Sequence, residues 1–255
     1  MTNKPILELD NVSVNNRLKA LSGSVMAGEQ IHLVGLNGSG KSTLLSAIAG
    51  ILSYSGCIHL IGRELRHYRQ HEQARCRAWF SQSSSTPIMP VFQYLDMFRP
   101  ESAPLAQSEN VLYELCQQMK LLPLLSSPIS QLSGGEWQRV RLAGTFFQVW
   151  PELNPDGRLL LLDEPTNNLD ITQQAILDKL IKQFCSLGGT VLLSSHDLDH
   201  TYEQATGVWL LSHGKLLTSG IPQNVMTERN LSEIFEVKIR HIKNTGYKLW
   251  RVNQL

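Results

Sequence analysis

Short apolar runs separated by polar, glycine-bearing turns recur along this chain, at intervals that suit strands alternating with helices. Residues 6–14 (ILELDNVSV) and 30–34 (QIHLV) are apolar and β-branched, and they predict strands. A glycine-rich turn from Gly35 to Gly40 follows, and the segment from Ser42 to Ile51 then places Leu44, Leu45 and Ile48 at helical spacing. Strand, glycine turn and helix make a βα unit, which implies a parallel sheet. Residues 57–61 and 76–81 predict further strands. Between about 83 and 157 serine and proline punctuate the chain, and the periodic parts read as helix. The clearest runs from Glu136 to Val149, with Val140, Ala143, Gly144 and Phe147 on one face. Strands return at Leu159–Leu162, Thr190–Leu193 and Val208–Leu211, with helix at about Gln173–Ser186. All-apolar strands suit a sheet covered on both faces. The pattern therefore predicts one α/β domain over 1–255. Its core lies at about 1–82 and 158–255, and a helical insertion at about 83–157.

Composition narrows the function classes. A chain of 255 residues, 42% hydrophobic and 18% charged, can bury a substantial core and is not of disordered type. Lys plus Arg number 23 against 22 for Asp plus Glu, a formal charge of +1, which argues against a nucleic-acid partner. The longest apolar runs fall far short of the roughly 18 residues that a membrane-spanning helix needs. The opening MTNKPILELD lacks the apolar core of a secretory signal. Cys57, Cys76, Cys116 and Cys185 are widely spaced with no CxxC pair, so neither a disulfide framework nor a zinc site is expected; a reducing cytosol is.

Three segments carry chemistry. Gly35-Leu36-Asn37-Gly38-Ser39-Gly40-Lys41-Ser42, followed by Thr43, fits G-x-x-x-x-G-K-[ST]. Glycines let successive backbone N–H groups turn toward a phosphate, and the following helix adds its positive end. Lys41 is placed to reach the β- and γ-phosphates and the Ser42 hydroxyl to ligate Mg²⁺. The second segment, Leu159 to Leu162, ends in Asp163 and Glu164. Buried carboxylates are costly unless they meet a metal or a proton-transfer task. Asp163 suits the metal, and Glu164 suits activation of an attacking water. The third segment, Leu132-Ser133-Gly134-Gly135-Glu136, makes a second phosphate-binding helix end. One nucleotide does not need two such ends on one chain, so the second is expected to serve the nucleotide of another subunit. An ordinary N-cap serine is the alternative. The pairs His67/His71 and His196/His200 have i,i+4 spacing but lack the H-E-x-x-H pattern, and they read as surface residues.

GLNGSGKS, LSGGEWQR, LLLLDEPTNNLD and Ser194-Ser195-His196-Asp197, in that order, resemble the ATP-binding subunits of ABC transporters over essentially the whole chain. The resemblance implies a P-loop NTPase: a RecA-like core with a β-subdomain, plus an inserted α-helical subdomain. It implies two copies that sandwich two ATP molecules head to tail, each signature helix closing on its twin's nucleotide. By position Gln82 matches the Q-loop and joins Ser42 and Asp163 at Mg²⁺. Asp170 matches the D-loop, and His196 the switch histidine at the γ-phosphate. The family's adenine-stacking aromatic has no counterpart in Val14–Leu18. There Arg17 is a candidate to lie over the ring, with a solvated charge as the alternative.

The insertion Gln148–Gly157 and the Leu21–Gly28 lead-in are similar to those of the family's cobalamin (vitamin B12) import branch. That likeness implies a transmembrane permease docking near Gln82–Tyr94, through the apolar stretch Pro87–Tyr94. Ordinary packing of the helical part is the alternative use of that stretch. It also implies a periplasmic cobalamin-binding protein as an indirect partner, and a peripheral place on the cytoplasmic face of a bacterial inner membrane. A siderophore or haem importer would share every motif. A soluble ABC ATPase of ribosomes or chromosomes fits less well, since one cassette without a heptad stretch is present.

Overall fold

The computed structural model describes residues 4–82, 85–101, 103–244 and 247–252. The chain divides into two compact units, Met1–His67 with Leu192–Leu255, and Tyr68–Val191.

The first unit begins with β1 (Leu7–Val14), β2 (Leu18–Val25), β3 (Gln30–Val34), α1 (Lys41–Ile48), β4 (Ser55–Leu60) and β5 (Arg63–Glu64). Leu7, Leu9 and Val12 turn inward from β1, which pairs antiparallel with β2 and with β4; β4 in turn pairs with β5. A half-exposed sheet of this kind needs only alternate apolar positions. By contrast β3 is buried at all five residues. The helix expected from Ser42 to Ile51 is shorter, because Gly50 takes a left-handed φ of 67° and Ile51 is already exposed.

The second unit contains α2 (Gln70–Cys76), β6 (Arg77–Phe80), α3 (Val91–Asp96), α4 (Leu105–Gln118), α5 (Gly134–Gln148), β7 (Leu159–Leu162) and α6 (Ile171–Ser186). β6 and β7 run parallel, Arg77 opposite Leu159 through Phe80 opposite Leu162, and β7 is buried throughout. Fully buried Phe146 and Phe184 meet edge to face with centroids 5.9 Å apart, joining α5 to α6. The insertion after α5 is tied down by polar bonds. Gln148 Nε2 donates to the Ala74 carbonyl at 2.7 Å, and buried Asn154 donates to that of Arg75 at 2.8 Å. The stretch 87–94 is not wholly loop-like as expected. Pro90 sits at the N-cap and Val91–Asp96 are helical, because proline is tolerated at a helix start while its ring forbids helix on its own N-terminal side. The strand expected at 76–81 is confined to β6, Cys76 being the last residue of α2.

Within β8 (Thr190–Ser195) the chain returns to the first unit, and α7 (Leu198–Gln204), β9 (Gly207–Ser212), β10 (Lys215–Gly220), α8 (Pro222–Val225), α9 (Glu228–Phe235), β11 (Ile239–Asn244) and β12 (Tyr247–Val252) follow. β9 lies parallel to β3 and antiparallel to β10. Leu231 and Ile234 of α9 enter a core with Val34, Val208, Leu210, Val225 and Trp250.

Candidate functional site

In the first unit the buried run of β3 ends at Gly35, where a Cβ would stand 2.2 Å from the Leu211 carbonyl oxygen, so no larger residue fits. Leu36, Asn37 and Gly38 are exposed at the crest, and Gly40, with φ of 106°, is the N-cap of α1. That φ is left-handed, a region that glycine enters without strain. No acidic residue occupies the first turn of α1, so the helix itself does not offset its positive end. Lys41 is only 5% exposed, and its Nζ donates to the carbonyls of Gly35 at 2.8 Å and Leu36 at 3.1 Å. The ammonium is thus folded back across its own loop. Ser39 Oγ is buried without a hydrogen-bond partner, a polar atom in the loop aimed at nothing in the protein. Ser42 is exposed and Thr43 half-buried in the first turn of α1.

The β1–β2 turn borders this loop. A Cβ on Gly40 would meet the Arg17 carbonyl at 3.3 Å, and the Arg17 side chain is exposed. Gly214 N–H donates to the Ser39 carbonyl at 3.0 Å, and Lys19 N–H donates to that of Gly214 at 2.7 Å. His196 is exposed just beyond β8. Asp197 caps α7, its Oδ1 accepting from His200 N–H at 2.9 Å.

In the second unit Asp163 follows β7 directly, is 4% exposed, and donates its N–H to the Phe80 carbonyl at 2.9 Å. Glu164 takes a left-handed φ of 49°. Its Oε2 accepts from Gln82 Nε2 at 2.8 Å and from Asn167 Nδ2 at 2.6 Å. The carboxylate is therefore fixed by two amides, one from the second residue after β6 and one from its own loop. Arg141 of α5 supports that arrangement, donating to the Ser81 carbonyl and lying over the Phe80 ring, 4.3 Å from the centroid.

Ser133 is the N-cap of α5, as the plain reading of its sequence allows. Its Oγ accepts from Glu136 N–H at 3.3 Å, while Glu136 Oε2 accepts from Ser133 N–H at 2.8 Å and from Ser133 Oγ at 2.7 Å. These bonds to Ser133, its hydroxyl first, hold the Glu136 carboxyl below its usual range. Leu132 is half-buried, and Ser133 and Gly134 are exposed. Gly135 closes on the loop after Glu164: a Cβ there would be 2.9 Å from the Asn168 carbonyl. Buried Gln138 Nε2 donates to the Pro165 carbonyl at 3.1 Å. Asp170, exposed, caps α6 by accepting from Gln173 N–H at 2.8 Å.

Of the expected docking stretch Gln82–Tyr94, Ser83 and Ser84 lie outside the described residues. Ile88 is 97% exposed and Phe92 is exposed, whereas Val91 is buried and Tyr94 packs its ring on Phe98 and Trp137, centroids 5.1 and 4.9 Å away. His67 approaches Glu64 at 3.8 Å, and among the described residues no group of three or more His, Cys, Asp or Glu side chains could hold a metal ion. The four cysteines are free, and among the described residues no helix is long and apolar enough to cross a membrane. Sequence reasoning missed Asn167 and Arg141. The only signal for Asn167 was its position three residues after Glu164.

The ABC transporter family pattern matches residues 18–167. Curated relatives named vitamin B12 import ATP-binding proteins include one from Photorhabdus laumondii subsp. laumondii, 55% identical over 253 residues and covering 99% of both chains. Another, from Yersinia pseudotuberculosis serotype I, is 49% identical over 96% of this chain and 97% of its own. Among solved structures, an ATP-binding subunit of an ABC transporter matches with a TM-score of 0.79 at 23% identity, over 91% of this chain and 98% of its own. A metal-chelate type ABC transporter in an inward-facing conformation matches with a TM-score of 0.78 at 23% identity, over 99% of this chain and 98% of that one. At such identities the structural likeness shows the fold alone.

Proposed function

Because this chain belongs to the ABC transporter family, we propose that it is the ATP-hydrolysing subunit of an importer, and that the cargo is vitamin B12 (cobalamin). The ATPase reading is carried by the loop after β3: a glycine cradle, a helix end with no acidic residue in its first turn, the Lys41 ammonium seated beside them and the unpartnered Ser39 hydroxyl. Such a set supplies N–H donors and positive charge at close range, which a triphosphate requires. Gly35, Leu36, Asn37, Gly38, Ser39, Gly40, Lys41, Ser42 and Thr43 hold its phosphates, and the adenine lies near Arg17.

The Ser42 hydroxyl, the Asp163 carboxylate and the Gln82 amide oxygen are hard oxygen donors, a set that fits Mg²⁺. The ion, when bound, neutralises charge on the phosphates. Glu164 accepts a proton from the attacking water, its carboxylate already held in place through Oε2 by Gln82 and Asn167. His196 donates to the γ-phosphate. Most of the rate then comes from positioning and fixed charge.

The exposed Ser133–Gly134 end of α5 serves the nucleotide of a second copy, with Leu132, Gly135 and Glu136 shaping it and Asp170 facing the twin. The exposed apolar Ile88 and Phe92 are the anchors for a transmembrane permease, and the chain works peripherally on the cytoplasmic side of an inner membrane. A periplasmic cobalamin-binding protein delivers cargo to that permease. The cobalamin assignment is supported by relatives of that name along nearly the full length.

The test is uptake of labelled cobalamin by a strain deleted for this chain, with parent and Lys41→Ala plasmids. Uptake restored by the parent alone is expected. Restoration of iron-chelate uptake without cobalamin uptake would overturn the cargo, and full rescue by Lys41→Ala would overturn the ATPase role.

A further inference from the structure

The first unit contains a buried polar chain that the nucleotide chemistry described above does not use. β3 carries two polar side chains, Gln30 and His32, in an otherwise apolar strand, and both are buried. Gln30 Nε2 lies 2.9 Å from His32 Nε2, and His32 Nδ1 lies 3.0 Å from Thr201 Oγ1 on α7. Thr201 Oγ1 lies 3.0 Å from Ser195 Oγ, and Ser195 Oγ accepts from Asp197 N–H at 3.3 Å and donates to the Asp197 carbonyl at 3.4 Å.

Donor accounting fixes the direction of every bond. An amide nitrogen can only donate, so His32 Nε2 accepts and its proton sits on Nδ1. Thr201 must then accept from His32, which leaves its own hydroxyl proton for Ser195. The chain runs one way, Gln30 to His32 to Thr201 to Ser195, and ends on the two residues that bracket His196. The other side of that turn is fixed separately, because Asp197 caps α7 and its carbonyl accepts from Thr201 N–H at 3.0 Å.

We propose that Gln30, His32 and Thr201 are positioning residues that lock the Ser195–Asp197 turn and so aim His196. Apolar side chains would fill the same space without the cost of burying polar groups, so the polarity has a use beyond filling the core. The direction survives at working pH, since burial, with the neighbouring His200 adding to it, pulls His32 down to about 3 and keeps it neutral. The His200 ring stacks on it with centroids 5.9 Å apart. The proposal rests on His196 acting at the γ-phosphate.

The experiment is steady-state ATP hydrolysis by the full chain carrying Thr201→Val, Thr201→Ser, Ser195→Ala or His196→Ala. Removing the Thr201 hydroxyl while keeping its shape should lower kcat by about tenfold, the worth of one buried hydrogen bond, with KM for ATP unchanged. Thr201→Ser should stay within about twofold of the parent, and Thr201→Val should add nothing once His196→Ala is present. Parent-like kcat in Thr201→Val beside an inactive His196→Ala overturns the positioning chain and leaves the role of His196 standing. Parent-like kcat in His196→Ala removes that role and the proposal with it. A rise in KM that matches the fall in kcat would mark general distortion and also overturn it. Should Thr201→Val fail to fold, Ser195→Ala at the half-buried strand end gives the same kcat-only split or refutes it.

Discussion

Glu164→Gln isolates basicity from position. The carboxylate oxygen that Gln82 and Asn167 hold, at 2.8 and 2.6 Å, can be replaced by the amide oxygen of glutamine, which accepts the same two bonds. The side chain should therefore stay where it is, while losing the ability to take a proton. A general base is worth about 10²–10⁴ in rate, or about 2.7–5.4 kcal/mol at 1.36 kcal/mol per tenfold. Losing the Asn167 bond alone, in Asn167→Ala, removes one hydrogen bond worth about 1 kcal/mol, roughly fivefold. The two variants should rank in that order, with Glu164→Gln far slower. Phosphate release measured over a range of ATP concentrations supplies kcat and KM separately. Turnover of Glu164→Gln within about threefold of the parent refutes the base assignment, as does a loss confined to KM.

Lys41→Ala should weaken both ATP binding and hydrolysis, because it removes the ammonium held on the Gly35 and Leu36 carbonyls; unchanged affinity in equilibrium binding counts against this. Gly135→Ala should destabilise the fold by about 1–3 kcal/mol, since its Cβ would press on the Asn168 carbonyl, whereas Gly134→Ala meets nothing and should be neutral. Urea midpoints of the two compare them directly, and equal midpoints would contradict the contact. His32, neutral when folded with a value of about 3 against 6.5 unfolded, contributes stability that is complete above about 6.5. As pH falls below that value, the unfolded chain takes a proton that the folded one refuses, so stability should drop by about 1.4 kcal/mol per pH unit down to about 3. Urea titrations between about pH 7 and about pH 4.5 should show a shallower slope in His32→Gln; identical slopes would exclude His32 as the source.

The sequence pattern located the elements whose burial is one-sided or complete. β3, α1, α5, β7, α6, β8 and β9 all stand within a few residues of where apolar runs and helical spacing put them. β2 escaped because LKALSGSV turns only Leu18, Leu21 and Val25 inward and its polar positions mimic a loop. α2 escaped for a similar reason: of its seven residues only Cys76 is buried, which leaves no apolar period to detect. At the candidate site the loop glycines, the Asp163–Glu164 pair and the Ser133 cap were legible, since each is a local constraint of backbone or charge. The Gln82–Glu164–Asn167 cluster was not. It depends on left-handed turns at Glu164 and Asn168, whose φ values are 49° and 61°, and on side chains distant in the chain meeting. The run from Gln30 to Ser195 was hidden in the same way, being spread over β3, β8 and α7.

Lys41 shows how an anion-binding loop can be made ready in advance. Its ammonium has already surrendered most of its hydration shell to two peptide oxygens. The arriving anion therefore meets a cation that is already buried and held close to the loop. An exposed lysine at the same address would have to shed water and freeze its long stem at the moment of encounter. In this molecule the act of folding has completed that step beforehand.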